Sequence, residues 1–169
     1  SGEAWLVFED MVCYGLEFML GRRVRRLGGR KRGRRVSDMQ AQTPQGHILV
    51  VDTKASKKGF DAQWSELRPL VEYVNRQKIR QQGQLDLIGA ALISSRFLQD
   101  ERTLMSLSQQ FFGETRVPLS FMTASSLAEA VGLFRERPDA RNGIRWNQIF
   151  TGGLLGIQSI LKELSALDM

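Results

Sequence analysis

With 169 residues, 42% of them hydrophobic, the chain has the size and composition of one domain with one good core, and no apolar run approaches the roughly 18 residues of a membrane span. A single cysteine, Cys13, and a single histidine, His47, exclude an internal disulfide and a metal site built from thiolates or imidazoles. The net charge of +6, with a pI near 10, points to a polyanionic partner.

The chain opens Ser1-Gly2, which reads as a cloning scar ahead of a domain cut from a longer protein. No leader pattern follows and the lone cysteine suits a reducing compartment, so the expected location is the cytoplasm of a bacterium. From Glu3 to Leu20 apolar residues recur at helical spacing through Trp5, Phe8, Met11, Val12, Leu16 and Met19. Glu17 lies in the last turns of this helix, placed either to add a carboxylate to a nearby metal site or to sit among the arginines as a surface acid.

Gly21 to Arg35 carries nine cations and no acid: Arg22, Arg23, Arg25, Arg26, Arg30, Lys31, Arg32, Arg34 and Arg35. Guanidinium forks suit phosphate oxygens, so the run is a candidate nucleic-acid contact. It leads into a hairpin. In Thr43-Pro44-Gln45-Gly46, proline suits the second turn position and glycine the left-handed one, which gives a three-residue loop with a glycine bulge. Thr43 then faces His47, and counting outward puts Asp38 opposite Asp52. Opposed carboxylates on a strand pair repel unless a cation sits between them. Hard oxygen donors suit Mg²⁺, with Mn²⁺ as a substitute. Lys54 shares the face of Asp52, and Thr53 points away. Ile48 to Val51 is apolar throughout, as in a strand covered on both sides.

Beyond the hairpin the spacing predicts a helix over 61–81 with Asp61 as its N-cap and Pro69 as a kink or its true start. A buried strand over 85–94, a helix over 100–112 and a strand over 117–123 follow. Next come a helix capped by Ser125 or Ser126 and ended by Pro138, a loop over 141–145, and a turn over 146–150. A closing amphipathic helix occupies 151–167. The order implies an α/β fold with a mixed central sheet, the hairpin in its middle and helices on both faces.

An acid, a hairpin, Asp52-Thr53-Lys54 and then a helix together resemble the PD-(D/E)xK nuclease superfamily, with its restriction-endonuclease-like fold. The likeness is closer to the FokI type of cleavage domain from type IIS restriction endonucleases. It is carried by Leu16-Glu17-Phe18, Leu27-Gly28-Gly29-Arg30, Val50 to Ala55, Gly59-Phe60, Tyr73-Val74 and Gly152-Gly153. Ser37 stands where the motif name has proline. The resemblance implies that Asp38 and Asp52 bind the divalent metal and that Lys54 positions or polarises the attacking water. The Thr53 carbonyl and Glu17 are candidate further ligands. It also implies pairing of two nuclease domains through the helix over 61–81. There the family's acid and arginine fall on Arg68 and Glu72, with the charges exchanged.

The expected function is Mg²⁺-dependent hydrolysis of double-stranded DNA with little sequence readout, in one cleavage domain over 1–169 beside a separate recognition domain. Two alternatives stay open: a structure-specific, repair or transposition nuclease of the same superfamily, and a catalytically dead basic DNA-binding module.

Overall fold

The computed structural model describes residues 2–27, 39–81 and 86–169, without side chains for residues 2, 3, 80 and 81. Helix α1 (Gly2–Leu20) buries Val12, Cys13, Leu16, Met19 and Leu20 along one side. It stops at Gly21, which takes a positive φ of 70° and donates its N–H to the Glu17 carbonyl. Such a left-handed residue after the last turn suits glycine, which has no Cβ to clash.

Six strands form one sheet in the order β1 (Arg25–Arg26), β2 (Met39–Gln42), β3 (Ile48–Lys54), β4 (Leu87–Ser94), β5 (Leu119–Thr123), β6 (Gly153–Leu154). The pairs β1–β2 and β2–β3 are antiparallel. From β3 to β6 every pair is parallel. Parallel strands need crossover connections, and α2 (Trp64–Gln81), α3 (Glu101–Thr115) and α4 (Ala124–Glu136) supply them; α5 (Ile157–Leu167) closes the chain. The sheet is therefore mixed and covered on both faces. Leu49, Val51, Ala91, Ile93 and Met122 pack under α1, α4 and α5. Val50, Ala90, Leu92, Leu119 and Phe121 pack under α2 and α3. Consecutive residues of β3 enter opposite cores, which is why the stretch is apolar without alternation.

Several sequence expectations are corrected. The second helix starts at Trp64 and holds Pro69 inside it. Proline lacks only one N–H there, and Pro69 lies on the exposed side. Asp61 is not the cap: its carbonyl and carboxylate accept from the Gln63 N–H and side-chain amide. The cap of α4 is Thr123, whose hydroxyl accepts from the Ser126 N–H at 3.2 Å. Ser125 and Ser126 lie inside the first turn. The closing helix is shorter than expected, because Gly153–Leu154 forms a sixth strand first. Gly152 and Gly153 reach it through φ of 110° and 75°.

Candidate active site

The hairpin turn closes as the residue types require. The Gly46 N–H donates to the Thr43 carbonyl at 2.9 Å, the Thr43 N–H donates to the His47 carbonyl at 2.9 Å, and Gly46 has φ 93°. The strands pair Met39 with Val51, Gln40 with Val50, Ala41 with Leu49 and Gln42 with Ile48. This is the register read from the turn. Asp38 lies one residue before Met39 and outside the described residues, as do Arg30, Lys31, Arg32, Arg34 and Arg35.

β3 leaves the core at Asp52: the first four residues are buried and Asp52, Thr53 and Lys54 are partly exposed. Asp52 has the parity of Val50, so it belongs to the sheet face under α2 and α3. Lys54 shares that face, its Nζ 3.6 Å from Asp52 Oδ2, with side chains 32% and 17% exposed respectively. The same ammonium lies 5.8 Å from the centre of the Phe60 ring, within cation–π range. Phe60 is fixed by its own backbone, whose N–H donates to the Arg96 carbonyl at 2.7 Å and whose carbonyl accepts from the Leu98 N–H at 3.0 Å. Buried Ser94, paired with Lys54 across the sheet, donates its hydroxyl to the Lys54 carbonyl at 2.7 Å. Gln40, on the same face, donates to the Tyr73 hydroxyl at 3.0 Å and ties the hairpin to α2. Charge, ring and hydroxyl thus hold one lysine at the end of an interior strand.

Among the described residues no group of three His, Cys, Asp or Glu is placed to hold a metal. That does not conflict with Mg²⁺, which keeps several waters and takes one or two carboxylates plus substrate phosphate rather than a closed protein cage. Asp52 and the neighbouring main-chain carbonyl of Thr53 are donors of the right hardness. Glu17 has a different duty. Its carboxylate accepts from the Val24 N–H at 3.0 Å and from the Cys13 thiol at 3.8 Å, on a helix that covers the opposite face of the sheet. It fixes the approach to β1. Cys13 is a buried core residue, and burial, then the Glu17 charge, push its thiol pKa up.

The described arginines of the basic run divide. Arg25 pairs with Gln40 and Arg26 with Met39. Opposed residues share a face, so Arg25 is on the Asp52 face and Arg26 on the α1 face. There Arg26 donates through Nη2 to Glu9 at 2.8 Å and through Nη1 to Asp10. These bonds, that to Glu9 the strongest, hold its pKa above the usual arginine range. Arg22 donates to the carbonyls of Thr43 and Pro44 at 3.5 and 3.3 Å, bracing the turn. Arg23 and Arg25 are exposed. Of the described four, then, Arg26 is a structural cation rather than the expected phosphate contact. Arg68 and Glu72 both lie on the exposed side of α2. Phe60 stands in the resemblance without a link to Lys54, and Ser94 has no local signal at all, since only the fold brings either of them to the lysine.

A family model described as the cleavage domain of FokI matches residues 2–151. No curated protein matches the sequence. Among solved structures, restriction endonuclease FokI bound to DNA superposes with a TM-score of 0.67 at 15% identity, covering 89% of this chain. A further structure of restriction endonuclease FokI gives 0.64 at 15% identity over 88% of the chain. At that identity the likeness concerns the fold. The present chain spans 28% of the length of each of those chains.

Proposed function

Because this chain belongs to the FokI cleavage-domain family, we propose that it is a divalent-metal-dependent endonuclease domain that hydrolyses double-stranded DNA with little sequence readout of its own. The observation that supports this most directly is the pairing of Met39 with Val51 at the foot of an Asp52–Lys54 pair 3.6 Å apart. The described pairs agree with the register counted from the turn, which expects Asp38 opposite Asp52.

In this reading Asp38, Asp52 and the Thr53 carbonyl hold Mg²⁺, with Mn²⁺ able to replace it. When bound, the ion neutralises charge on the scissile phosphate and acidifies a coordinated water. Lys54 orients the attacking water and offsets charge that develops on the phosphoryl oxygens. Its ammonium is held between the Asp52 carboxylate and the Phe60 ring, so little reorganisation accompanies the reaction. Arg23 and Arg25, with the cations between 30 and 35, contact flanking phosphates without reading bases. Glu17 is left out of the ligand set because its helix covers the sheet face opposite Asp52.

Plasmid nicking tests the reading. Cleavage appears with Mg²⁺, stops with EDTA and is lost in Asp52→Ala. A domain that binds plasmid equally well with and without Asp52 and cuts with neither Mg²⁺ nor Mn²⁺ is the dead DNA-binding module instead. Equal cutting of linear and branched duplexes argues against a structure-specific nuclease.

The domain is proposed to act as a pair, within a longer bacterial, cytoplasmic protein whose other part selects the DNA. Its span of 28% of the matched FokI chains leaves room for that part. Arg68 and Glu72, one turn apart on an exposed helix side, are the proposed pairing charges. The nicking rate rises more steeply than linearly with protein concentration if two domains are needed. Mixing the wild type with an Arg68→Glu/Glu72→Arg variant lowers the rate if these charges face each other. An unaltered rate in that mixture removes them from the interface.

A further inference from the structure

The loop after Lys54 has almost no apolar anchor, yet it is stitched down. The Ser56 hydroxyl donates to the Gly59 carbonyl at 2.8 Å and the Ser95 hydroxyl to the Ser56 carbonyl at 2.6 Å. Arg96 Nη2 donates to the Lys58 carbonyl at 2.6 Å, and the Phe60 N–H bonds to Arg96. Gly59 has φ 101°, and a Cβ there would stand 3.1 Å from Arg96 Nε. Arg96 therefore lies along the loop backbone beside Lys58. The result is a fixed segment whose exposed side chains include Lys57, Lys58 and Arg96. Among the described residues neither lysine forms an ion pair. The nearest acids in sequence are already engaged: Asp52 by Lys54, Asp61 by the amides of Gln63 and Gln99, and Asp100, the next acid after Arg96, by the Thr103 N–H.

We propose that Lys57, Lys58 and Arg96 form a phosphate-binding platform for the DNA strand next to the bond being cut. This rests on the nuclease reading and adds a second contact surface, separate from the basic run before the hairpin. Three residues separate Lys57 from Lys54, a reach of at most about 10 Å, so a cation there stays within roughly three nucleotides of the Lys54 end of the strand. Cations on an ordered loop lose less entropy on binding than the same cations on a free one. A lysine ammonium acts toward phosphate as a point charge, and the salt slope reads contacts of that kind.

The test compares Lys57→Ala/Lys58→Ala with its parent, both carrying Asp52→Asn so that a duplex oligonucleotide is bound and not cut. Affinity falls on the order of tenfold at about 0.1 M KCl, and the slope of log K against log[KCl] shrinks by about 1.8, the loss of two phosphate contacts. Lys57→Arg/Lys58→Arg keeps both values. With Asp52 restored, the alanine pair raises KM for plasmid and leaves kcat at saturating DNA unchanged. Equal thermal melting of parent and variant shows that the loop's removal of charge has not unfolded the domain. A parent that binds duplex while the alanine variant matches it in affinity and slope overturns the platform alone. A parent that neither binds nor nicks DNA overturns this proposal together with the nuclease reading.

Discussion

The two faces of the sheet each carry an ion pair, and the pairs are built differently. On the α1 face Arg26 closes on Glu9 at 2.8 Å, with the Glu9 side chain only 6% exposed, and Asp10 joins from outside. Every charge there has a partner in the protein. On the α2 face Lys54 stands 3.6 Å from Asp52, longer than a good charge-assisted hydrogen bond. Its other neighbour is a ring face rather than an acid. The first arrangement completes a structure. The second sits where an interior strand leaves the core, with both side chains partly exposed. An ion pair by itself marks no function; what sets this one apart is its position at the solvent-reachable exit of an interior strand.

The comparison breaks most sharply in activity. Lys54→Ala lowers the nicking rate on the order of 10²–10³-fold, the cost of one preorganised electrostatic group, and leaves thermal melting close to that of the wild type. Arg26→Ala does the reverse. It leaves Glu9 buried without its strongest donor, which costs about 1–3 kcal/mol and lowers Tm by roughly 2–10 °C, while nicking at a temperature well below Tm persists. Matching losses of activity in the two variants would dissolve the distinction between the faces.

A smaller effect separates two adjacent residues. Arg25 and Arg26 look equivalent in sequence, but strand alternation sends them to opposite faces. Arg25→Ala reduces the slope of log K against log[KCl] for duplex DNA by about 0.9, one phosphate contact. Arg26→Ala leaves that slope as it was. Titration of binding against salt, in the Asp52→Asn background, reads both.

What could be read beforehand follows the same division between local and distant causes. The hairpin register was legible because turn chemistry at Pro44 and Gly46 is local and fixes every opposed pair outward. The covered strand at Ile48 to Val51 was legible because both its faces are apolar. β1 was not, since two consecutive arginines show no strand pattern and pair only because β2 offers an edge. The sixth strand, Gly153–Leu154, is two residues long, too short for any periodicity. The partnership of Arg26 with Glu9 spans 17 residues, and nothing in either segment announces it. For Glu17 the sequence leaves two roles open for a related reason. Helical spacing located it correctly on α1, but which face of the sheet α1 covers is decided by packing. The caps slipped by two or three positions because Thr123 is both the last residue of a strand and the first group of the next helix.

Asp100 gives the smallest predicted effect and a check on how the carboxylates are sorted. It is neither buried like Glu9 nor set beside a lysine like Asp52, and it caps α3. Hydrogen bonds from the Thr103 hydroxyl, and then from the Thr103 N–H, hold its pKa below the ordinary aspartate value. A carboxylate whose pKa is depressed by folding stabilises the native state above its unfolded pKa, and that contribution disappears as pH falls through the folded value. Asp100→Ala should therefore lower Tm slightly at pH 7, with nicking and DNA affinity unaltered. The gap between variant and wild type should narrow as the pH is taken below about 4. A gap that widens in acid would mean that the native state prefers this carboxyl protonated, and the assignment of Asp100 as an ionised cap would then be wrong.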